Sequence, residues 1–145
     1  MSRRTLGVTL VELLIALGVL AILTSAVVWT ASRLADRARV ESAAGQLLDA
    51  YRRTQSVARA WGRPAELVVT ADSLVIRAVW HSESTEVWRG PGPGAAGVGV
   101  TPAAHVTSFL PSGLAQGIAN VTHVLSRGAA QRRVVVSRLG RVRVT

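Results

Sequence analysis

Residues 13–31 read LLIALGVLAILTSAVVWTA, nineteen consecutive positions without a charged side chain. At 1.5 Å of rise per residue, a helix of this length covers about 28 Å, close to the ~30 Å hydrocarbon core of a bilayer. Arg3 and Arg4 precede the stretch, and Glu12 stands at its mouth. The positive-inside bias keeps such arginines in the cytoplasm and sends the chain beyond the span across the membrane. Two processing readings fit this start. In the first it is a secretory signal peptide, with Arg3 and Arg4 as the basic region, residues 13–23 as the apolar region and Thr24-Ser25-Ala26 as a small-residue cleavage site. The second turns on Glu12. A charged group costs about 2.5–3.5 kcal/mol near a bilayer centre and less near its edge, so a carboxylate here marks a function and asks for a partner.

The rest of the composition narrows the function classes. The chain has 145 residues, room for one small domain or for a helix with a modest head. Cysteine is absent, which removes disulfides, thiolate metal sites and cysteine nucleophiles. His81, His105 and His123 are scattered and form no ligand-spaced pair, so neither a zinc site nor a catalytic triad has its parts. No cofactor or metal is expected, and no enzyme activity. Seventeen arginines against eight acids leave a formal charge of +9, and none of the basic residues is lysine. Such an excess suits a polyanion or an anionic surface as partner.

Beyond the uncharged stretch the helical period continues. Leu34, Ala38, Val40, Ala44, Leu47, Leu48, Tyr51, Gln55 and Ala58 recur every three or four residues, while Arg33, Arg37, Glu41, Arg52, Arg53 and Arg59 mostly take the other face. Gly62 followed by Pro64 is a helix stop. The spacing therefore predicts one helix from about Val8 to Trp61. After Pro64 the period changes to two. Strands are expected at residues 66–70, 74–80, 86–89, 106–110, 118–125, 133–137 and 141–144, with turns at 71–73, 111–113 and 138–140. Residues 90–99 hold five glycines and two prolines and read as a mobile loop. The expected class is α+β: a long N-terminal helix, transmembrane in its first half, packed on an antiparallel β head.

Gly7-Val8-Thr9-Leu10-Val11-Glu12 resembles the type IV prepilin signal. In that family a short basic leader ends in glycine, the mature chain begins at a hydrophobic residue, and glutamate is its fifth residue. The usual Thr-Leu pair is present as Thr9 and Leu10, while Val8 stands where Phe or Met is usual. The resemblance implies a prepilin peptidase that cuts after Gly7 and methylates the amine of Val8. It also implies a role for Glu12: pairing with the cationic amine of a neighbouring subunit during filament assembly. With Ser108-Phe109-Leu110-Pro111-Ser112-Gly113, Val134–Ser137 and Gly140-Arg141-Val142-Arg143, the chain is similar to minor pseudopilins of the GspH/FimT-like family. That family implies a leader at 1–7, a transmembrane and filament-core helix at 8–31, an amphipathic helix at 32–63 and a β-rich periplasmic head at 64–145. It implies an inner-membrane location with a cytoplasmic N-terminus, and other pilins or pseudopilins as partners. The implied function is a structural subunit of a type II secretion pseudopilus.

The arginines open a second reading. Glu86 is the last acidic residue; Arg89, Arg127, Arg132, Arg133, Arg138, Arg141 and Arg143 come after it without a carboxylate among them, and are expected to be uncompensated. In a strand Arg141 and Arg143 share a face. Guanidinium forks bind phosphate oxygens in pairs, so this edge suits a DNA backbone. Some FimT-like pilins implicated in DNA uptake carry a C-terminal Gly-Arg-x-Arg element, which makes Arg138, Arg141 and Arg143 the candidate DNA-binding residues. Charges on a last strand also guard a sheet edge against aggregation, and no aromatic residue interleaves with these arginines to stack bases. Trp29, Trp61, Trp80 and Trp88 read as packing or interface residues. The histidines are expected to be solvated or locally hydrogen-bonded.

Overall fold

The computed structural model describes residues 9–81, 83–117 and 120–145, with residues 25–28 described by backbone alone. It consists of one helix, α1 (Leu10–Trp61), followed by nine strands: β1 (Ala65–Thr70), β2 (Ser73–Trp80), β3 (Glu83–Pro91), β4 (Gly99–Thr101), β5 (Ala104–Phe109), β6 (Ala115–Gln116), β7 (Val121–Arg127), β8 (Ala130–Val136) and β9 (Val142–Val144). The described residues up to Ala35 form one compact unit and Asp36–Thr145 another.

In the first unit the helix is apolar on every side. Leu10, Leu13, Leu14, Ile15, Leu17, Leu20, Ile22 and Leu23 are all more than half exposed. A helix of this kind has no polar face to give to water and needs lipid or other helices around it. Its mean hydropathy reaches 2.5 over its most apolar window, long enough to cross a membrane. Thr24 fits such surroundings, because its hydroxyl bonds back to the carbonyls of Leu20 and Ala21 at 2.5 and 3.1 Å.

In the second unit the helix becomes amphipathic. Val40, Ala43, Ala44, Leu47, Ala50, Tyr51, Thr54 and Ala58 are buried, at the three-and-four spacing read from sequence. Leu34 and Ala38, expected on this stripe, are instead exposed. The helix ends as Gly62 and Pro64 predict. Gly62 takes φ 61°, its N–H bonds the Arg59 carbonyl at 3.3 Å and the Arg63 N–H bonds that of Ala58 at 3.2 Å, the two bonds of a Schellman cap.

Two antiparallel sheets complete the core, one in the order β3-β2-β1-β5-β6 and the other β4-β7-β8-β9. Alternate residues of β1 (Ala65, Leu67, Val69) point inward, joined by Leu74, Ile76 and Phe109 from the first sheet and Leu125, Val134 and Val136 from the second. The Tyr51 and Phe109 rings meet edge to face, with centroids 6.0 Å apart.

The expected strands recur with shifted ends, and three expectations are corrected. The strand expected at 86–89 runs from Glu83 to Pro91 and bends where the β2 register shifts between Ile76 and Arg77. Residues 90–99 are not a mobile loop. They hold the end of β3, a 3₁₀ turn at Pro93–Ala96 and the start of β4, with Pro93 and Val98 buried. The glycines there serve close approach: the N–H groups of Gly92 and Gly94 bond the carbonyls of Asp72 and Ala71 at 2.9 and 2.7 Å, and a Cβ at either residue would strike that backbone. The strand expected at 118–125 lies partly at residues 118 and 119, outside the described residues, and β7 runs on to Arg127.

Candidate functional site

The N-terminal end of α1 carries the first candidate. Gly7 and Val8 lie outside the described residues. Thr9 precedes the helix, and its Oγ1 accepts the N–H of Glu12 at 3.2 Å. Thr9-x-x-Glu12 thus has the sequence of a capping box, with Thr9 as the cap and Glu12 in the first turn. A carboxylate there favours the partial positive charge of the helix start, so Glu12 stabilises its own helix as well as being free to meet a cation. It is exposed.

The second candidate is the hairpin of β8 and β9. Val134 and Val136 turn inward, and Val142 and Val144 opposite them pack on the same core. The intervening residues face out. Arg133, Arg138, Arg141 and Arg143 are exposed, and none has a carboxylate partner among the described residues. Arg141 precedes β9 rather than lying in it, yet its carbonyl still accepts the Ser137 N–H at 2.9 Å, so the ladder carries it beside Arg143. Arg133 is not among the DNA-binding candidates read from sequence; its place before the inward Val134 is the available signal. Gly140 has a structural reason to be glycine. It takes φ 77°, its carbonyl accepts from the Gln55 side chain, and a Cβ would collide with the Gly113 carbonyl. The two head segments that carry the family resemblance, around Gly113 and Gly140, therefore meet over the helix.

Three of the seven arginines expected to be uncompensated are paired. Arg89 binds Glu86 through two bonds at 2.9 and 2.6 Å, which holds the carboxyl of Glu86 below its ordinary range. Arg127 Nε meets Asp36 Oδ1 at 2.7 Å, and Arg132 Nε meets Glu41 Oε2 at 2.7 Å. These last two acids come from the helix, some ninety residues earlier in the chain, where sequence adjacency gives no hint of them.

A third feature also departs from expectation. His123 is fully buried rather than solvated. Its Nε2 lies 2.7 Å from the Tyr51 hydroxyl, which lies 3.2 Å from Thr107 Oγ1. Nδ1 is buried without a hydrogen-bond partner among the described residues. Burial, with the His105 ring 5.6 Å away, pushes the His123 pKa down to about 4; burial pushes Tyr51 up to about 12. This polar island sits inside the core and joins the helix to both sheets. Among the described residues, no three histidine or acidic side chains converge as metal ligands do. The tryptophans divide: Trp88 packs against the core, whereas Trp29, Trp61 and Trp80 are exposed. Arg33 covers Trp29 and Arg63 covers Trp80, each at 3.5 Å.

The family model of the prokaryotic N-terminal methylation motif matches residues 2–28. Two crystal structures of the type IV minor pilin FimU from Pseudomonas aeruginosa match the fold. The one in space group P21 has a TM-score of 0.63 at 20% identity, covering 75% of this chain and 90% of that one. The one in P65 has a TM-score of 0.59 at 18% identity, covering 72% and 91%. The fold is pilin-like, and the N-terminus carries the methylation motif. No curated protein matches its sequence. The methylation motif of this pilin-like chain implies processing by a prepilin peptidase and assembly of the pilin type. The pilin-like fold gives the two candidates separate places: Glu12 in the unit that is apolar on all sides, and the arginine hairpin in the unit with the closed core.

Proposed function

We propose that this pilin-like chain is a minor subunit of a type IV pilus-like filament, and that the filament is the periplasmic pseudopilus of a type II secretion system. The leader is residues 1–7, the membrane and filament-core helix 8–31, its amphipathic continuation 32–63 and the periplasmic head 64–145. Prepilin peptidase cuts after Gly7 and methylates Val8. The protein waits in the inner membrane as a single-pass subunit with its N-terminus on the cytoplasmic side. Glu12 then pairs with the amine of Val8 on a neighbour, where each charge offsets the other's desolvation. The observation that carries this reading is the methylation motif at residues 2–28, which runs into a helix whose described residues there are exposed and apolar on all sides. Mass spectrometry of the mature protein tests it. A chain that begins at methylated Val8 is expected; one that begins at Val27, after signal peptidase, removes the reading.

Arg133, Arg138, Arg141 and Arg143, gathered on one hairpin without carboxylates, favour a second reading: a FimT-like minor pilin that holds DNA during uptake. The full chain in neutral detergent, titrated with duplex DNA over a range of salt, is then expected to lose affinity steeply. Arg141→Gln with Arg143→Gln should lower the log–log salt slope by about two. Absence of binding at low salt eliminates this reading.

A further inference from the structure

The turn between β8 and β9 holds an apolar side chain in the open. Leu139 is 75% exposed, more than any other large hydrophobic side chain described in the second unit. One exposed leucine is ordinary on a protein surface. What sets this one apart is the backbone beneath it. The Gly140 N–H closes the turn on the Ser137 carbonyl at 2.9 Å, the Ser137 N–H bonds the Arg141 carbonyl at 2.9 Å, and the Arg141 N–H bonds Ser137 Oγ at 3.1 Å. Gly140, at φ 77°, is the left-handed residue that returns the chain to the ladder. Neighbouring elements fasten the same turn from outside. Asn120 Oδ1 accepts the Arg138 N–H at 3.1 Å, the Arg138 carbonyl accepts the Ala115 N–H at 3.2 Å, and the Gln55 side chain donates to the Gly140 carbonyl. Arg138 and Leu139 are the central residues of this turn, and both side chains are exposed at its tip. A leucine on so fixed a backbone loses little freedom on binding, since only its own rotamers remain to be ordered.

The surroundings of Leu139 select its partner. Arg138 and Arg141 flank it in the chain. Arg59 reaches the same place from the last turn of the helix: a Cβ on Gly113 would strike its guanidinium, and the Gly113 carbonyl itself lies against Gly140. None of these three arginines has a carboxylate partner among the described residues. An apolar protein surface laid over Leu139 would desolvate these cations without compensation, which is costly. Duplex DNA meets both demands, with phosphates for the guanidinium groups and stacked bases for the leucine. Proteins that work from the minor groove press leucine and similar side chains between base steps, and the duplex kinks there. That groove is about 6 Å wide, and the turn presents to it a single apolar side chain between cations. We propose that Leu139 is such a wedge: it enters a base step from the minor groove while Arg138, Arg141 and Arg59 hold the phosphates beside it, so the duplex is unstacked and kinked where it is held. The proposal rests on the reading of this hairpin as a DNA-holding element, and adds how the duplex is held. A wedge selects for deformability instead of sequence, favouring pyrimidine–purine steps and mismatched pairs, which unstack most easily.

The test titrates the full chain, in neutral detergent, into a duplex that carries 2-aminopurine beside a central TA step and a donor–acceptor dye pair at its ends. Unstacking raises the 2-aminopurine fluorescence, and a kink brings the dyes together. The native protein is expected to do both. It should also bind a duplex with a central mismatch about tenfold more tightly than the matched one, because a mismatched pair resists unstacking least. Leu139→Ala, at an exposed position, should melt at the native temperature and keep the native dependence of affinity on salt. It should lose the fluorescence rise, the kink and the mismatch preference, while Leu139→Met should retain all three. Unstacking that survives in Leu139→Ala overturns the proposal. So does a Leu139→Ala protein that kinks DNA as the native one does but drops out of the filament, which makes Leu139 a subunit contact. Absence of binding at low salt defeats the DNA reading itself and the wedge with it, whereas binding to a duplex that stays straight and stacked defeats only this inference.

Discussion

Replacing Glu12 by alanine is expected to leave cleavage after Gly7 intact and to lower incorporation into filaments about a hundredfold or more, since removing one partner of a buried ion pair costs ~3–5 kcal/mol. The asymmetry comes from what each step needs. In the proposed function, cleavage uses Gly7 and the chain around it. Assembly as proposed would leave the cationic amine of Val8 among apolar helices, and without the carboxylate nothing would offset its desolvation. Glu12 also sits at the third position after its cap Thr9, so its removal frays the first turn as well. Glu12→Gln separates the two effects. Glutamine keeps the capping pattern and loses only the charge. Filament incorporation, measured by shearing or crosslinking with the native protein as reference, should fall in both variants. Wild-type incorporation of Glu12→Gln removes the charge from the mechanism.

The second large effect is a dependence of stability on pH that centres on His123. Its folded pKa lies near 4, against 6.5 for an unperturbed histidine. Between these values the unfolded chain holds a proton that the folded chain refuses, so the unfolded state gains as pH falls. The stabilisation is whole above pH 6.5 and drains away as pH drops toward 4. A full burial shift of this kind is worth up to about 3 kcal/mol, which for a domain near one hundred residues lowers the melting temperature by roughly 12–24 °C. Thermal melts of the full chain in detergent from about pH 7.5 to 4 should show this slope. Other groups add to it, so the variant makes the comparison. His123→Gln keeps a hydrogen-bonding group for Tyr51 and should flatten the profile. An identical slope in the variant locates the acid sensitivity elsewhere.

The parts of this molecule that can be read in the chain are those whose cause is local. The uncharged run, the three-and-four spacing from Val40 to Ala58, the Gly62–Pro64 stop and the β1–β2 hairpin each declare themselves within a few residues. The strand β3 is only half legible because it lies at a sheet edge, largely exposed, and lacks an inward-outward alternation to follow. β4 and β6, with three and two residues, are too short to show a period. The glycine-rich stretch misleads because glycine serves two opposite ends, freedom and close contact, and only the position of Ala71 and Asp72 tells which applies. Burial of His123 depends on Tyr51, 72 residues earlier, and the pairing of Arg127 and Arg132 on acids 91 residues earlier. Charge counted along the chain therefore overstates the free charge of the head, and only in space does it emerge that Arg132 is paired while Arg133 beside it on β8 has no carboxylate partner among the described residues.

The unbroken greasiness of residues 13–24 has an energetic corollary. Leu13, Leu17 and Leu20 differ little from Leu14, Ile15 and Ile22 in how openly they stand, so no side is reserved for a particular neighbour. Trading acyl chains for the flanks of other helices swaps one hydrocarbon contact for another, and contributes almost no hydrophobic preference for either home. In the proposed function, departure from the bilayer would then be nearly isoenergetic along the shaft, and its direction would fall to the few groups that are not hydrocarbon.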